Sequence, residues 1–181
     1  MADSDVIAEI IEFWFAPGMA EKWIVRDPNL DREVAERLSA LHEKAAAGGL
    51  DDWRDSAQGC LALLVLLDQT PRNIFRDDPR TYATDEMARA ITQHALDHGY
   101  DQELNHNQRG MLYLPLLHSE SLADKERAVE LTRPLTENPN FHKWAVHHLE
   151  IVARFGRFPH RNEILGRENT PEERAFLADR D

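Results

Sequence analysis

The thirteen residues FGRFPHRNEILGR, 155–167, hold three arginines, a histidine and two glycines, and LDQTPRNIFR at 67–76 repeats the theme with Arg72, Asn73 and Arg76. A guanidinium stays charged at any physiological pH and donates paired hydrogen bonds, so such clusters suit phosphate or carboxylate groups. Arg72, Asn73, Arg76, His118, Arg157, His160, Arg161, Asn162 and Arg167 form the candidate set for a small anionic ligand. His148 adds acid/base chemistry if Glu120 or Asp68 lies beside it, because a neighbouring carboxylate raises an imidazole pKa. The enzymatic form of this reading is a hydrolase or transferase. A second reading uses the same residues as a brace: the arginines pair with Asp68 and Glu120, donate to helix-end carbonyls, and fasten helices together. On that reading the chain is a protein or peptide interaction module, and His148 is a hydrogen-bonded core histidine.

Composition bounds the choice. The chain has 181 residues, 42% of them hydrophobic and 30% charged, which fits one soluble globular domain over 1–181. Its net charge of −12 argues against nucleic-acid or anionic-membrane surfaces, which need clustered Lys and Arg. Residues 154–167 run the other way, with Arg154, Arg157, Arg161 and Arg167 against Glu163 alone. That local surplus is either neutralised internally or offered to an anion. Cys60, the one cysteine, lies in the apolar run CLALLVLL and reads as a buried reduced thiol. With no basic leader and no membrane-length apolar run, a cytoplasmic location is expected.

The elements that must position these residues are all helical by periodicity. Ser4 is placed to cap a helix carrying Val6, Ile7, Ile10, Ile11 and Trp14, stopped by Pro17-Gly18, with Phe13-Trp14-Phe15 in the core. Asp27 or Asn29 caps the next, which Gly48-Gly49 ends. Ser56 opens a third, apolar on all sides from 60 to 67 and therefore central, with Asp68 closing it. A carboxylate in the last turn of a buried helix needs a cationic partner, and Arg72 or Arg76 is nearest in sequence. Thr84 is placed to cap a fourth helix ending at Gly99. A fifth starts near Asn107 and contains Pro115, and a sixth spans roughly 122–133. In the seventh, Phe141, Trp144, Ala145, His148, Ile151, Val152 and Phe155 share one face, which puts His148 in the middle of a buried stripe. Gly156 is its left-handed cap, and Thr170-Pro171-Glu172-Glu173 starts a last helix with a capping box.

No strand alternation is present, so the expected fold is all-α, with about eight helices in a compact bundle or right-handed superhelix. The sequence helix, Pro-Arg-Asn turn, Thr-capped helix occurs twice about half the chain apart, a pattern compatible with degenerate internal duplication. Metal readings rest on Glu103-x-x-His106 and His147-x-x-Glu150, half of what a di-metal bundle requires. There is no phosphate-binding P-loop, GxGxxG or nucleophile elbow, and no cofactor is expected.

LDQTPRNIFR, YLPLLHSE at 113–120, His148, FGRFPHRN and LGRENT together resemble the bacterial domain-of-unknown-function family numbered 924, described as TPR-like. The resemblance spans most of the chain and implies a TPR-like helical fold. It carries no activity. Thr70, Met111 and Lys125 depart from the family pattern, standing where a bulkier apolar residue, an aromatic and a glutamine are usual. Every arginine and histidine of the motif is present.

Overall fold

Ser56 starts the element that the other helices surround: its hydroxyl accepts from the Gly59 N–H at 3.1 Å and opens α3 (Ala57–Leu64). The computed structural model describes residues 2–23 and 25–179. Before α3 come α1 (Asp3–Trp14) and α2 (Pro28–Ala46). After it come α4 (Thr70–Ile74), α5 (Asp85–Asp97), α6 (His106–His118), α7 (Leu122–Thr132), α8 (Asn140–Phe155) and α9 (Pro171–Ala178). Short 3-10 turns join several of them, and no strand occurs among the described residues. Every side chain from Cys60 to Leu67 is buried, as an element apolar on all faces requires. It packs against α1, α5 and α6.

Asp68 does not close this helix. Residues Val65–Gln69 form a π-helical turn that runs into α4 without a break, so α3, the π turn and α4 are one rod. Pro71 is the physical reason. Its nitrogen has no hydrogen and its ring crowds the carbonyl one turn back, conditions an α-helix interior does not tolerate. The wider turn absorbs the mismatch, and the freed carbonyls find other donors: Leu66 O takes His42 Nδ1–H at 2.8 Å, and Leu67 O takes the Thr84 hydroxyl. Thr84 therefore serves the rod and makes no side-chain cap for α5, contrary to expectation. The Ser4 cap is also displaced, since Ala2 precedes the first helical residue, Asp3. Asp27 accepts from Asn29 N, and Thr170 and Glu173 form their capping box, both as the sequence indicates.

α6, α7 and α8 pack on one another and carry the second half of the site. The α6–α8 contact is close because Gly110 faces the ring of Phe141; a Cβ on Gly110 would lie 2.3 Å from a ring carbon. Gly110→Ala is expected to destabilise by about 1–3 kcal/mol even though alanine is the better helix former by about 1 kcal/mol. Thermal melts check this; an equal or higher melting temperature would show that the two helices have room to part. Gly156, at φ 70°, ends α8 in the left-handed region that side chains rarely adopt and turns the chain toward Pro159–Arg161.

Candidate functional site

The π turn aims Asp68 and Gln69 toward the ends of α6 and α8. Asp68, 1% exposed, receives His118 Nδ1–H at 2.9 Å and lies 3.2 Å from Arg72 Nη1. Burial pushes its carboxyl up, but Arg72 and His118 outweigh that and hold it well below the usual carboxylate range. Arg72 continues to Asp85, 2.9 Å away in the first turn of α5. Asp85 is also approached by Arg161, at 3.7 Å. The two Arg-Asn segments thus meet at one carboxylate, although their backbones differ: the first is helical and the second a 3-10 turn.

These groups line a cleft of two recesses, of about 320 and about 330 Å³, that share Arg72, Arg76, His118 and His148. One recess is walled by Trp23, Leu114, Leu117, Phe141 and Trp144 with Gln69 and Asn73; the other by Tyr82, Phe158, His160, Arg161 and Ile164 with Arg26, Asp77 and Thr81. Arg76 forks onto Asp31 at 2.6 and 2.7 Å, and Asn73 donates to the same carboxylate at 2.8 Å. Arg161 is different. Its side chain is 8% exposed, sits 4.5 Å from the Tyr82 ring centre and 4.6 Å from that of Phe158, and its buried Nε has no hydrogen-bond partner among the described residues. Burial and then the neighbouring Arg72 charge depress its pKa.

Other residues grouped with these by sequence point elsewhere. Arg157 pairs with buried Glu173 at 2.7 Å and ties α9 to the preceding turn. Arg167 forks onto Glu120 at 2.7 and 2.9 Å, and Glu120 also accepts from Phe158 N at 2.8 Å. Asn162 donates to Asn169 at 2.7 Å. None of Arg157, Arg167, Asn162 and Glu120 lines the two recesses. Glu120 is therefore not the partner of His148. With Arg154 joined to Glu172, the positive surplus of residues 154–167 is met internally except at Arg161.

His148 is half-buried rather than central to a buried stripe, and its Nδ1–H donates to the Leu117 carbonyl at 3.0 Å, not to Glu120 or Asp68. Burial, with His118 and Lys125 adding, pushes its pKa down to about 3. His118 is also depressed, first by burial and then by Arg72, with Asp68 opposing. Both rings are neutral at pH 7 with Nδ1 protonated, which leaves each Nε2 as a lone-pair acceptor. Neither Nε2 has a hydrogen-bond partner among the described residues. The orientation of His118 by a buried carboxylate is the arrangement by which a general base is held in its working tautomer. Among the described residues no three His, Cys, Asp or Glu side chains converge on a metal position.

Lys125, which departs from the family pattern, underlies the site. Fully buried on α7, it donates to the Leu116 and Leu117 carbonyls at the end of α6 and lies 4.4 Å from the Phe158 ring centre. Burial, then Arg161, pushes its pKa down to about 7. An unfolded lysine titrates near 10.4, so above about pH 7 the unfolded chain holds the extra proton and stability rises with pH. The parent is expected to gain up to about 1.4 kcal/mol per pH unit between pH 7 and 8.5, and Lys125→Gln to flatten the slope. Denaturant melts across that window check it; an unchanged slope in the variant assigns the effect elsewhere.

The model of the family described as bacterial protein of unknown function, DUF924, matches residues 10–181. The chain is also similar to the solved structure of a protein of unknown function, ATU0120, from Agrobacterium tumefaciens: 42% identical, with 98% of this chain and 99% of that one covered and a TM-score of 0.93. No curated protein matches the chain significantly. A match over nearly the whole length, together with a relative of this identity and fold, means that the chain belongs to the bacterial DUF924 family of all-helical proteins of unknown function.

Proposed function

We propose that the cleft binds a small phosphate- or carboxylate-bearing ligand against Arg161 and Arg72, and that Asp68 and His118 form the proton-accepting pair for hydrolysis or group transfer on it. The observation that carries this reading is Arg161: a guanidinium more than nine-tenths buried, facing a cavity, with an unmet donor and only a shared carboxylate at 3.7 Å. A buried charge is ordinarily paired and hydrogen-bonded, because desolvation without compensation costs several kcal/mol, on the order of the values for isolated buried ions. An anionic oxygen pair would supply what the protein does not.

His118 suits a base role because it is neutral, held by Asp68, and lines both recesses. Among the described residues no serine or cysteine lines them, and the Thr81 hydroxyl donates to the Phe75 carbonyl; on this reading His118 activates water or a second substrate as the nucleophile. Successive packing of α5 on α6, α6 on α7 and α7 on α8 is compatible with a TPR-like arrangement around the site. A reducing cytoplasm suits Cys60, a free buried thiol pushed up to about 12 by burial. Phosphate or sulfate is expected to raise the melting temperature above that in chloride at equal ionic strength, since a ligand stabilises the state that binds it. Equal melting temperatures in all three salts would remove the anion site and favour a peptide-binding surface with structural arginines.

A further inference from the structure

The recess beyond the arginines has a chemistry that an inorganic anion leaves unused. Phe141 and Trp144 meet edge to face there, 5.6 Å between ring centres at 85°, over Leu114 and Leu117. Trp23 closes the same recess with a buried indole N–H that has no partner among the described residues. Arg72, Arg76, His118 and His148 line this recess and the Arg161 recess alike, so the two adjoin at these side chains. An apolar wall with one donor, joined to a cationic wall, complements a molecule with an apolar body, an acceptor atom on that body, and a charged head.

We infer that the ligand is an aromatic or similarly bulky apolar compound carrying one anionic group, with its body among Trp23, Phe141 and Trp144 and its head at Arg161. The inference rests on the anion-binding reading and adds the class of ligand. It also places the bond between body and head beside His118. A phosphate group at Arg161 leaves the recess walled by Trp23 and Trp144 empty, while an aryl group there removes its own apolar surface and that of these two partly exposed side chains from water.

The test is calorimetric titration of the purified protein with methyl phosphate and with phenyl phosphate, which carry the same head. Phenyl phosphate is expected to bind at least about tenfold more tightly, in line with burial of a ring-sized apolar area. Trp144→Ala is expected to lower phenyl phosphate affinity to near that of methyl phosphate. If both esters bind the parent with equal affinity, the apolar half is not part of the ligand site and the inference is overturned while the anion site stands. If neither binds, the anion site is lost and the inference with it. The ratio measured on the parent decides the matter even if Trp144→Ala does not fold.

Discussion

Asp68→Asn is expected to destabilise the protein by about 3–5 kcal/mol at pH 7, the range for removing one partner of a buried ionic pair. The side chain keeps its size, so packing is not the cause. What is lost is the negative charge between Arg72 and His118, and the new amide places a donor where Gln69 Nε2 already donates. Arg72 retains Asp85, which sets the expected value toward the lower end. For a chain of this length such a loss lowers the melting temperature by roughly 6–20 °C. The pH dependence is a second signature. Because the folded pKa lies below the ordinary value near 3.9, the stabilisation is fully present above about pH 4 and is lost as pH falls toward the folded value. Parent and variant are therefore expected to converge in acid. A gap that persists unchanged at low pH would locate the effect in packing rather than charge.

Arg161→Met is expected to behave in the opposite manner: stability within about 1 kcal/mol of the parent, and loss of the anion response. Arg161 has no close partner to orphan, since Asp85 keeps Arg72 at 2.9 Å and the Tyr82 and Phe158 rings retain an apolar neighbour in methionine. Removing it also relieves the repulsion from Arg72 and lifts a charge that depresses Lys125. Melts in phosphate and in chloride give both quantities from one preparation. A loss of 3 kcal/mol or more, on the order of a broken buried pair, with no phosphate effect in the parent, would make Arg161 a brace.

Helix positions were legible because they rest on local rules. The Thr170 capping box, the Gly156 cap and the Asp27 cap are each decided by residues within a few positions. The π turn was not legible, since a segment apolar on every face has no phase by which periodicity can register an extra residue. Pro71 reads as a stop for the same reason: the donors that rescue the helix, His42 and Thr84, lie on other helices. Partner choice among the arginines was the other gap. Asp31 and Asp85 were missed, although both sit in first turns of helices, where the helix dipole favours a carboxylate. That signal can nominate arginine partners, but it cannot choose among them. Arg157 and Arg167 carry the same chemistry as Arg161 and differ only in having Glu173 and Glu120 in reach, a tertiary fact.

The most direct measurement is calorimetric titration of inorganic phosphate into the parent and into Arg161→Met at one pH and one ionic strength. The expected result is saturable binding at a single site in the parent, weakened at least about tenfold in the variant, the scale of one lost charge-assisted hydrogen-bond pair. No saturable binding in the parent, or equal affinity in the two proteins, would contradict an anion site at Arg161.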